Sequence, residues 1–404
     1  MNTVMIISGE SSGELYGSLL AKALKNKWPD MHIIGVGGER MREAGVELVS
    51  SISDAFGLIE AISAYSKIKA AFKKTAEALK KFKPDVLVLI DYPDFNIKLA
   101  KVAKSYGVKI LYYVSPQVWA WRKGRVKKIA NIVDRMAVLF PFEEKIYREA
   151  GIKCEFVGHP IVEEIESVIQ SSVIGHQSLV KNSYQRPIIN DPKDFELRTY
   201  FKSALGLDPK KPVLSLLPGS RPHELKRLLP LMIDVVRQFR NEFADYQFCI
   251  PLAPNTEEER YSLYLESLRE EGVNIKKGES VRVLAASDMA VVASGTATLQ
   301  TAFLEVPMIV LYKLSPFTFF LGKLIVDIKH ISLVNILAGR EVVQELLQKK
   351  ANPDDIIKEL KKIILDKKYR EEMLQAYRAI KEPFFEKRAS ERVAEMVIEM
   401  AGQI

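Results

Sequence analysis

Asp85-Val86-Leu87-Val88-Leu89-Ile90-Asp91-Tyr92-Pro93-Asp94-Phe95-Asn96 is the stretch that decides the fold of this chain. Its apolar run, Val86 to Ile90, shows no alternation, so both faces of the strand must be buried, as in a parallel sheet. Two carboxylates and an amide come next, and Pro93, lacking an N–H, cannot extend the ladder. Open α/β sheets bind ligands outside the carboxyl ends of their strands. The next apolar run, Ile110 to Val114, leads into Ser115-Pro116-Gln117 and then Trp119, Trp121, Arg122 and Arg125. Neighbouring strand ends therefore carry acids, amides, aromatic rings and cations. Core packing explains the strands but not the polar and aromatic residues at their ends.

Outward from this pair, strands and helices alternate. Strands are expected at Val4 to Ser8, His32 to Val36, Arg135 to Leu139 and Glu155 to Val157, with a helix over Gly13 to Lys27 and a short one after Gly37-Gly38. A polar stretch without steady periodicity, Glu166 to Thr199, reads as a linker or surface insertion. A second series begins at Pro212, with strands at Val213 to Leu217, Gln247 to Leu252, Met289 to Ala293 and Met308 to Tyr312. From Pro353 the chain is helical, ending with Ala389 to Ala401. The pattern predicts an α/β protein of two Rossmann-like, doubly wound domains with a cleft between them and a helical C-terminal tail. The expected bounds are 1–165, a linker at 166–205, 206–375, and a tail at 376–404 that packs back on the first domain or on a partner subunit.

Composition is that of a soluble globular protein, 48% hydrophobic and 27% charged. No apolar run reaches the roughly 18 residues of a membrane-spanning helix. The first residues enter a strand at once, without a basic region and cleavage site, so a cytoplasmic protein without signal peptide is expected. Cys154 and Cys249 fit no metal spacing, and with five scattered histidines neither a zinc site nor a cofactor is expected. The net charge of +8 favours anionic partners.

Several glycine turns between strand and helix suit an anion or a hydroxylated ligand. Ser8-Gly9-Glu10-Ser11-Ser12-Gly13-Glu14 allows a tight turn, with Ser12 as helix N-cap and free amides behind it. It lacks the dinucleotide spacing, and Glu10 and Glu14 would repel a pyrophosphate. Leu217-Pro218-Gly219-Ser220-Arg221 repeats the geometry, with Ser220 as cap, Arg221 as a bidentate cation and Glu224 completing a capping box. In Ser294-Gly295-Thr296-Ala297-Thr298-Leu299-Gln300, amides and hydroxyls can hold a diphosphate while Gln300 reaches a ribose. Asn335 to Arg340 is a fourth polar turn. Each also reads as a plain capped helix. Finally, Leu58, Ile62, Tyr65, Ile68 and Phe72 recur at helical spacing among Lys67, Lys69, Lys73 and Lys74. That stripe is either core or the apolar face of an interfacial helix, Ile59 included, whose lysines meet anionic headgroups.

Taken together, these motifs resemble the lipid-A-disaccharide synthases, inverting glycosyltransferases of GT-B type. The resemblance rests on Gly9 to Gly13, Ile90 to Asn96, Val114 to Arg122, Pro141-Phe142-Glu143, Val157-Gly158-His159-Pro160, Leu217 to Arg221, Ser294 to Ala297 and Asn335 to Arg340, in the family's order. It implies joining UDP-2,3-diacylglucosamine to 2,3-diacylglucosamine 1-phosphate, giving the β-1,6-linked disaccharide 1-phosphate and UDP. It also implies lipid A biosynthesis in a Gram-negative cell and peripheral attachment to the inner membrane, with no metal needed for transfer. A homodimer is compatible with it; nucleic acid is not an expected partner. Asp91 is then the candidate base and Glu10 the runner-up. Ser12, Gly13, Asp94, Asn96, Gln117, Trp119, Arg122 and Arg125 are candidates for the acceptor side, and Gly219, Ser220, Arg221, Ser294, Gly295, Thr296, Thr298, Gln300, Asn335 and Arg340 for UDP. Three departures stand out: Glu14 in place of Asp, Gln300 in place of a ribose-binding Glu, and a long Glu166 to Thr199 stretch. The competing readings are a UDP-sugar epimerase of the same two-domain fold and, from the basic charge and Trp119/Trp121, a nucleic-acid-binding protein.

Overall fold

The computed structural model describes residues 2–9, 11–51, 61–116, 125–172, 194–313 and 329–402. Glu10, Leu58, Ile59, Gln117, Trp119, Arg122 and the 173–193 part of the polar stretch lie outside them, as do the side chains of Ile62, Tyr65 and Arg125. The chain divides into two compact units, Met1–Pro160 with Glu386–Ile404, and Ile161–Phe385.

In the first unit seven strands form one sheet: β1 (Thr3–Ile7), β2 (His32–Gly37), β3 (Glu47–Ser51), β4 (Val86–Ile90), β5 (Lys109–Tyr113), β6 (Arg135–Val138) and β7 (Cys154–Phe156). Their order is β3-β2-β1-β4-β5-β6-β7, every pairing parallel. β4 is buried throughout and lies between β1 and β5, with Val4 opposite Val86 and Val86 opposite Lys109. Helices on both faces make that burial complete, which is why the strand tolerates no polar position.

The last helix, Ala389–Ala401, belongs to this unit and packs on helix Ser11–Lys27. An ion network fastens it to the sheet. Arg392 grips Glu155 with two bonds, 2.6 Å and 2.9 Å, and also reaches Glu395 and Glu399. Arg135 pairs with Glu399, Lys27 with Glu395 at 3.0 Å, and Lys109 caps the helix end at the Met400 carbonyl.

The second unit repeats the plan with β8 (Val213–Leu217), β9 (Gln247–Leu252), β10 (Asn274–Lys277), β11 (Met289–Ala293), β12 (Met308–Tyr312) and β13 (Glu345–Leu347), in the order β10-β9-β8-β11-β12-β13. The polar stretch expected from sequence begins inside helix Pro160–Ser172 and ends inside helix Asp194–Ala204. The second of these is tied down by Asp288, which accepts from Arg198 at 2.8 Å, Lys202 at 2.9 Å and the Val213 amide at 2.8 Å. Burial alone would raise the Asp288 carboxyl, yet the two cations hold it below the usual carboxylate range. Helix Lys367–Phe385 is anchored by Lys381 and Arg378, both on the fully buried carboxylate of Glu305.

Three strands escape sequence reading: β3, β10 and β13. All three are sheet edges. An edge strand is paired on one side and partly exposed, so it carries no unbroken apolar run; β10 is Asn-Ile-Lys-Lys, with no fully buried position. Among the described residues, no helix is long and apolar enough to cross a membrane.

Candidate active site

In both sheets the strand order reverses at one point, between β1 and β4 in the first unit and between β8 and β11 in the second. Ligands of open α/β sheets bind in the crevice at such a point. The glycine turns after β1, β8 and β11 and the acidic turn after β4 all fall on these two pairs of strand ends.

In the first unit, Asp91 and Tyr92 leave β4 in the left-handed region, at φ 49° and 40°. Val114, after neighbouring β5, lies at φ 67°, an outlying conformation for a β-branched residue. The two ends are stitched together: the Asp91 amide donates to the Val114 carbonyl at 3.3 Å, and the Val114 amide to Ala137 at 3.2 Å. The Asp91 carbonyl accepts from the Tyr112 hydroxyl and from Asn96 Nδ2, each at 2.7 Å. Asp91 itself is half-buried and Asp94 exposed. Asn96 is fully buried, giving its other Nδ2 bond to the Ile90 carbonyl at 3.2 Å. It holds the loop and does not face outward.

Gly9 sits against this turn. A Cβ there would lie 2.8 Å from Tyr92 Cβ and Cγ, so only glycine lets the β1 and β4 turns touch. Gly13 likewise brings its helix against Ile90 and Ser8. The helix starts at Ser11, so Ser12 lies within its first turn and is not the N-cap expected from sequence. Glu14 has a structural partner: its carboxylate accepts the Arg40 amide at 2.9 Å, capping the short helix Glu39–Glu43 after the Gly37-Gly38 turn.

The remaining titratable groups at this edge are silenced or engaged. His159, after β7, is wholly buried between Tyr16 and Phe140, and burial pulls its pKa down to about 3. Ser115 donates to buried Glu143 at 2.7 Å, and Glu143 accepts the Phe140 amide at 3.2 Å. Burial pushes the Tyr147 hydroxyl, which donates to the Pro116 carbonyl, well above its ordinary value. Burial also pushes Cys154 in this unit, and Cys249 in the other, up to about 12, which removes both as nucleophiles.

In the second unit Gly219 adopts φ 92°, and a Cβ on it would fall 2.1 Å from Glu224 Oε2. That carboxylate accepts the amides of Ser220 and Arg221, both at 3.1 Å. Arg221, not Ser220, is therefore the N-cap residue of helix Pro222–Glu242, and Glu224 reaches back to its amide as the capping-box reading expects. Glu224 occupies the turn amides and also pairs with the exposed guanidinium of Arg221 at 3.6 Å.

Gly295 caps helix Thr296–Phe303 without a side-chain bond, at φ 156°, and a Cβ there would meet open space. Ser294 donates to the Ile331 carbonyl at 3.3 Å. Thr298 is buried and spends its hydroxyl on Gly295 O at 2.7 Å, so it stiffens the turn from behind. Gln300 donates to Glu164 at 2.7 Å. Asn335, expected in a polar turn, lies inside helix Leu333–Ala338, fully buried. It bonds Val343 O and Glu345 through Nδ2, and the Val342 and Val343 amides through Oδ1. Every polar atom of that amide is used internally; Arg340 nearby is exposed. Sequence reading missed Tyr112, Glu164 and Glu345, whose partners lie ten to well over a hundred positions away, and it named Glu143 only within a motif, without its partner Ser115. Among the described residues no group of three His, Cys, Asp or Glu could hold a metal ion.

Two parallel, doubly wound units with polar turns at each reversal point define a GT-B-like α/β protein. Solved structures share that architecture. A UDP-GlcNAc 2-epimerase from Neisseria meningitidis bound to UDP-GlcNAc superposes with a TM-score of 0.66 at 11% identity, over 99% of this chain and 100% of that one. The S. aureus MnaA-UDP co-structure gives 0.63 at 12%, over 100% and 98%. At such identities the likeness is one of fold. The chain belongs to the lipid-A-disaccharide synthetase family, whose model matches residues 4–189 and 186–397. The lipid-A-disaccharide synthase of Myxococcus xanthus is 38% identical over 401 residues, spanning 98% of this chain and 97% of the relative. That of Geobacter sulfurreducens is 38% identical over 402 residues, spanning 99% and 97%.

Proposed function

We propose that this chain is an inverting glycosyltransferase joining UDP-2,3-diacylglucosamine to 2,3-diacylglucosamine 1-phosphate, with release of UDP. The observation that carries the reading is the match to synthases of that name along nearly the whole chain. In the first unit, Asp91 takes the proton of the acceptor 6-hydroxyl as its oxygen attacks the anomeric carbon and the bond to UDP breaks. A positioned carboxylate of this kind contributes on the order of 10²–10⁴-fold. Glu10 is the second candidate for that proton. In the second unit, Arg221 and the amides behind Gly295 meet the charge that builds on the departing diphosphate. Ser12, Gly13 and Asp94, with Gln117, Trp119, Arg122 and Arg125, take the acceptor.

The lipid substrates call for a membrane surface. Helix Ala61–Phe82 carries Lys69, Lys73, Lys74, Lys80 and Lys81 exposed, and Ile68 half-buried. On the proposed reading its start, with Leu58, Ile59, Ile62 and Tyr65, enters the inner leaflet while the lysines meet anionic headgroups. The protein is then cytoplasmic and peripheral, and a homodimer is compatible with this placement.

The deciding experiment incubates the purified protein with the UDP-linked lipid, with and without the 1-phosphate lipid. Disaccharide and UDP appearing only with both lipids is the expected outcome. UDP-sugar conversion without an acceptor would overturn the transferase in favour of an epimerase. Replacing Ile59 and Ile62 with Ser should weaken binding to anionic liposomes; unchanged binding rules out the interfacial helix.

A further inference from the structure

The peptide between Asp91 and Tyr92 is held more firmly than a strand-to-helix turn requires. Its carbonyl accepts a hydroxyl from β5, through Tyr112, and an amide from helix Pro93–Ser105, through Asn96. Both donors are 0% exposed. Asn96 uses both protons of its Nδ2 on backbone, the Ile90 and Asp91 carbonyls. Because carbonyls only accept, this fixes which way its amide points, and leaves Oδ1 buried with no hydrogen-bond partner. The residues on either side of the held peptide are both left-handed, and neither is glycine. Strained backbone of this kind persists only where its surroundings over-determine it.

The direction of the Asp91 carbonyl sets ψ of Asp91 and constrains φ of Tyr92. Together with the Asp91 amide bond to Val114, it fixes the plane from which the Cα–Cβ bond leaves the strand end. We propose that Asn96 and Tyr112 are positioning residues: by clamping the Asp91 carbonyl they aim the Asp91 carboxylate. Neither touches substrate. The inference rests on Asp91 acting as the base.

The test measures kcat and KM for both lipids, with thermal unfolding, in wild type, Tyr112→Phe, Asp91→Asn and the double variant. Tyr112→Phe deletes one hydroxyl and no ring, so the fold is retained. Misaiming a reacting group costs up to about 10²-fold, so with Asn96 still in place about a tenfold fall in kcat is expected. Both KM values should stay within about twofold, because ground-state binding is untouched. In the Asp91→Asn background the same change should cost nothing further. An equal loss in both backgrounds, or no loss in either, overturns the inference. Near-normal turnover by Asp91→Asn alone would sink the base assignment and this inference with it, and it is visible in the single variant before the double is read. Asn96→Ala, which frees the carbonyl of its second donor, should match Tyr112→Phe in direction and exceed it in size.

Discussion

In the first unit the chain leaves β4 through Asp91 and Tyr92 and leaves β5 through Val114, three non-glycine residues in left-handed backbone. In the second unit β11, the counterpart of β4, exits through Gly295, and β8 exits through Gly219 as its counterpart β1 exits through Gly9. The topology is the same, and the turn chemistry differs at the β4 and β11 ends. A glycine makes the turn cheaply and clears the space a Cβ would take, which suits a turn that a bulky anion approaches. A side chain kept at a strained position is there for its functional group, and buried hydrogen bonds have to hold it. On the proposed assignment the strained end does the chemistry and the relaxed end holds the nucleotide. The units also differ in how they anchor their C-terminal helices. Glu305 is sealed with Lys381, whereas Arg392, Glu395 and Glu399 remain about one-third or more exposed.

The sharpest way to break this contrast is Asp91→Asn. It should cut kcat by about 10²–10⁴-fold with the melting temperature nearly unchanged, since the replacement is isosteric. Retained turnover would assign the first unit's strain to something other than base chemistry. The anchoring contrast predicts that Glu305→Gln costs about 3–5 kcal/mol in denaturant unfolding, because two cations lose a buried partner. A loss below about 1 kcal/mol would make the sealed cluster no different from a surface one.

Acid titration probes the first unit through His159 and the carboxylates around Arg392. His159 has its folded pKa lowered to about 3 from the ordinary 6.5, so the unfolded chain binds the proton first. Its contribution is complete above pH 6.5 and is lost as pH falls from there toward 3. About 2 kcal/mol should go by pH 5. The carboxylates of Glu155, Glu395 and Glu399 are held low by Arg392, Lys27 and Arg135, so their losses begin only below 4.5. His159→Phe should flatten the stability curve between pH 6.5 and 5; an unchanged slope there would assign it to other groups. The smallest effect belongs to Arg392→Lys, which forfeits the bidentate grip on Glu155. It should cost about 0–1 kcal/mol and vanish in high salt, unlike Glu305→Gln.

The central strands were legible because burial on both faces leaves a mark in the sequence itself, an apolar run closed by Gly, Pro or Asp. β3, β10 and β13 left none, because an edge needs half the pairing and half the cover. The polar turns were legible as turns, but not the partners of their side chains. Glu14 read as a charge repelling a ligand, and the fold gives it the Arg40 amide to cap. Asn335 read as a ligand contact, and the fold closes all its bonds on Val342, Val343 and Glu345. Ser220 read as a cap, and Glu224 took that work.

What the sequence determined by itself was the sheet order's raw material and the site's address: which strands are central, and that acids end β4 while glycines end β8 and β11. Periodicity and turn chemistry are local, so they survive in one dimension. What only the tertiary structure decided was which polar groups are spent on the fold and which remain for a ligand. Hydrogen-bond partners such as Tyr112 for Asp91, or Arg378 for Glu305, lie 21 and 73 residues away. No spacing rule reaches across a parallel crossover, and it is the completed sheet that sets those distances.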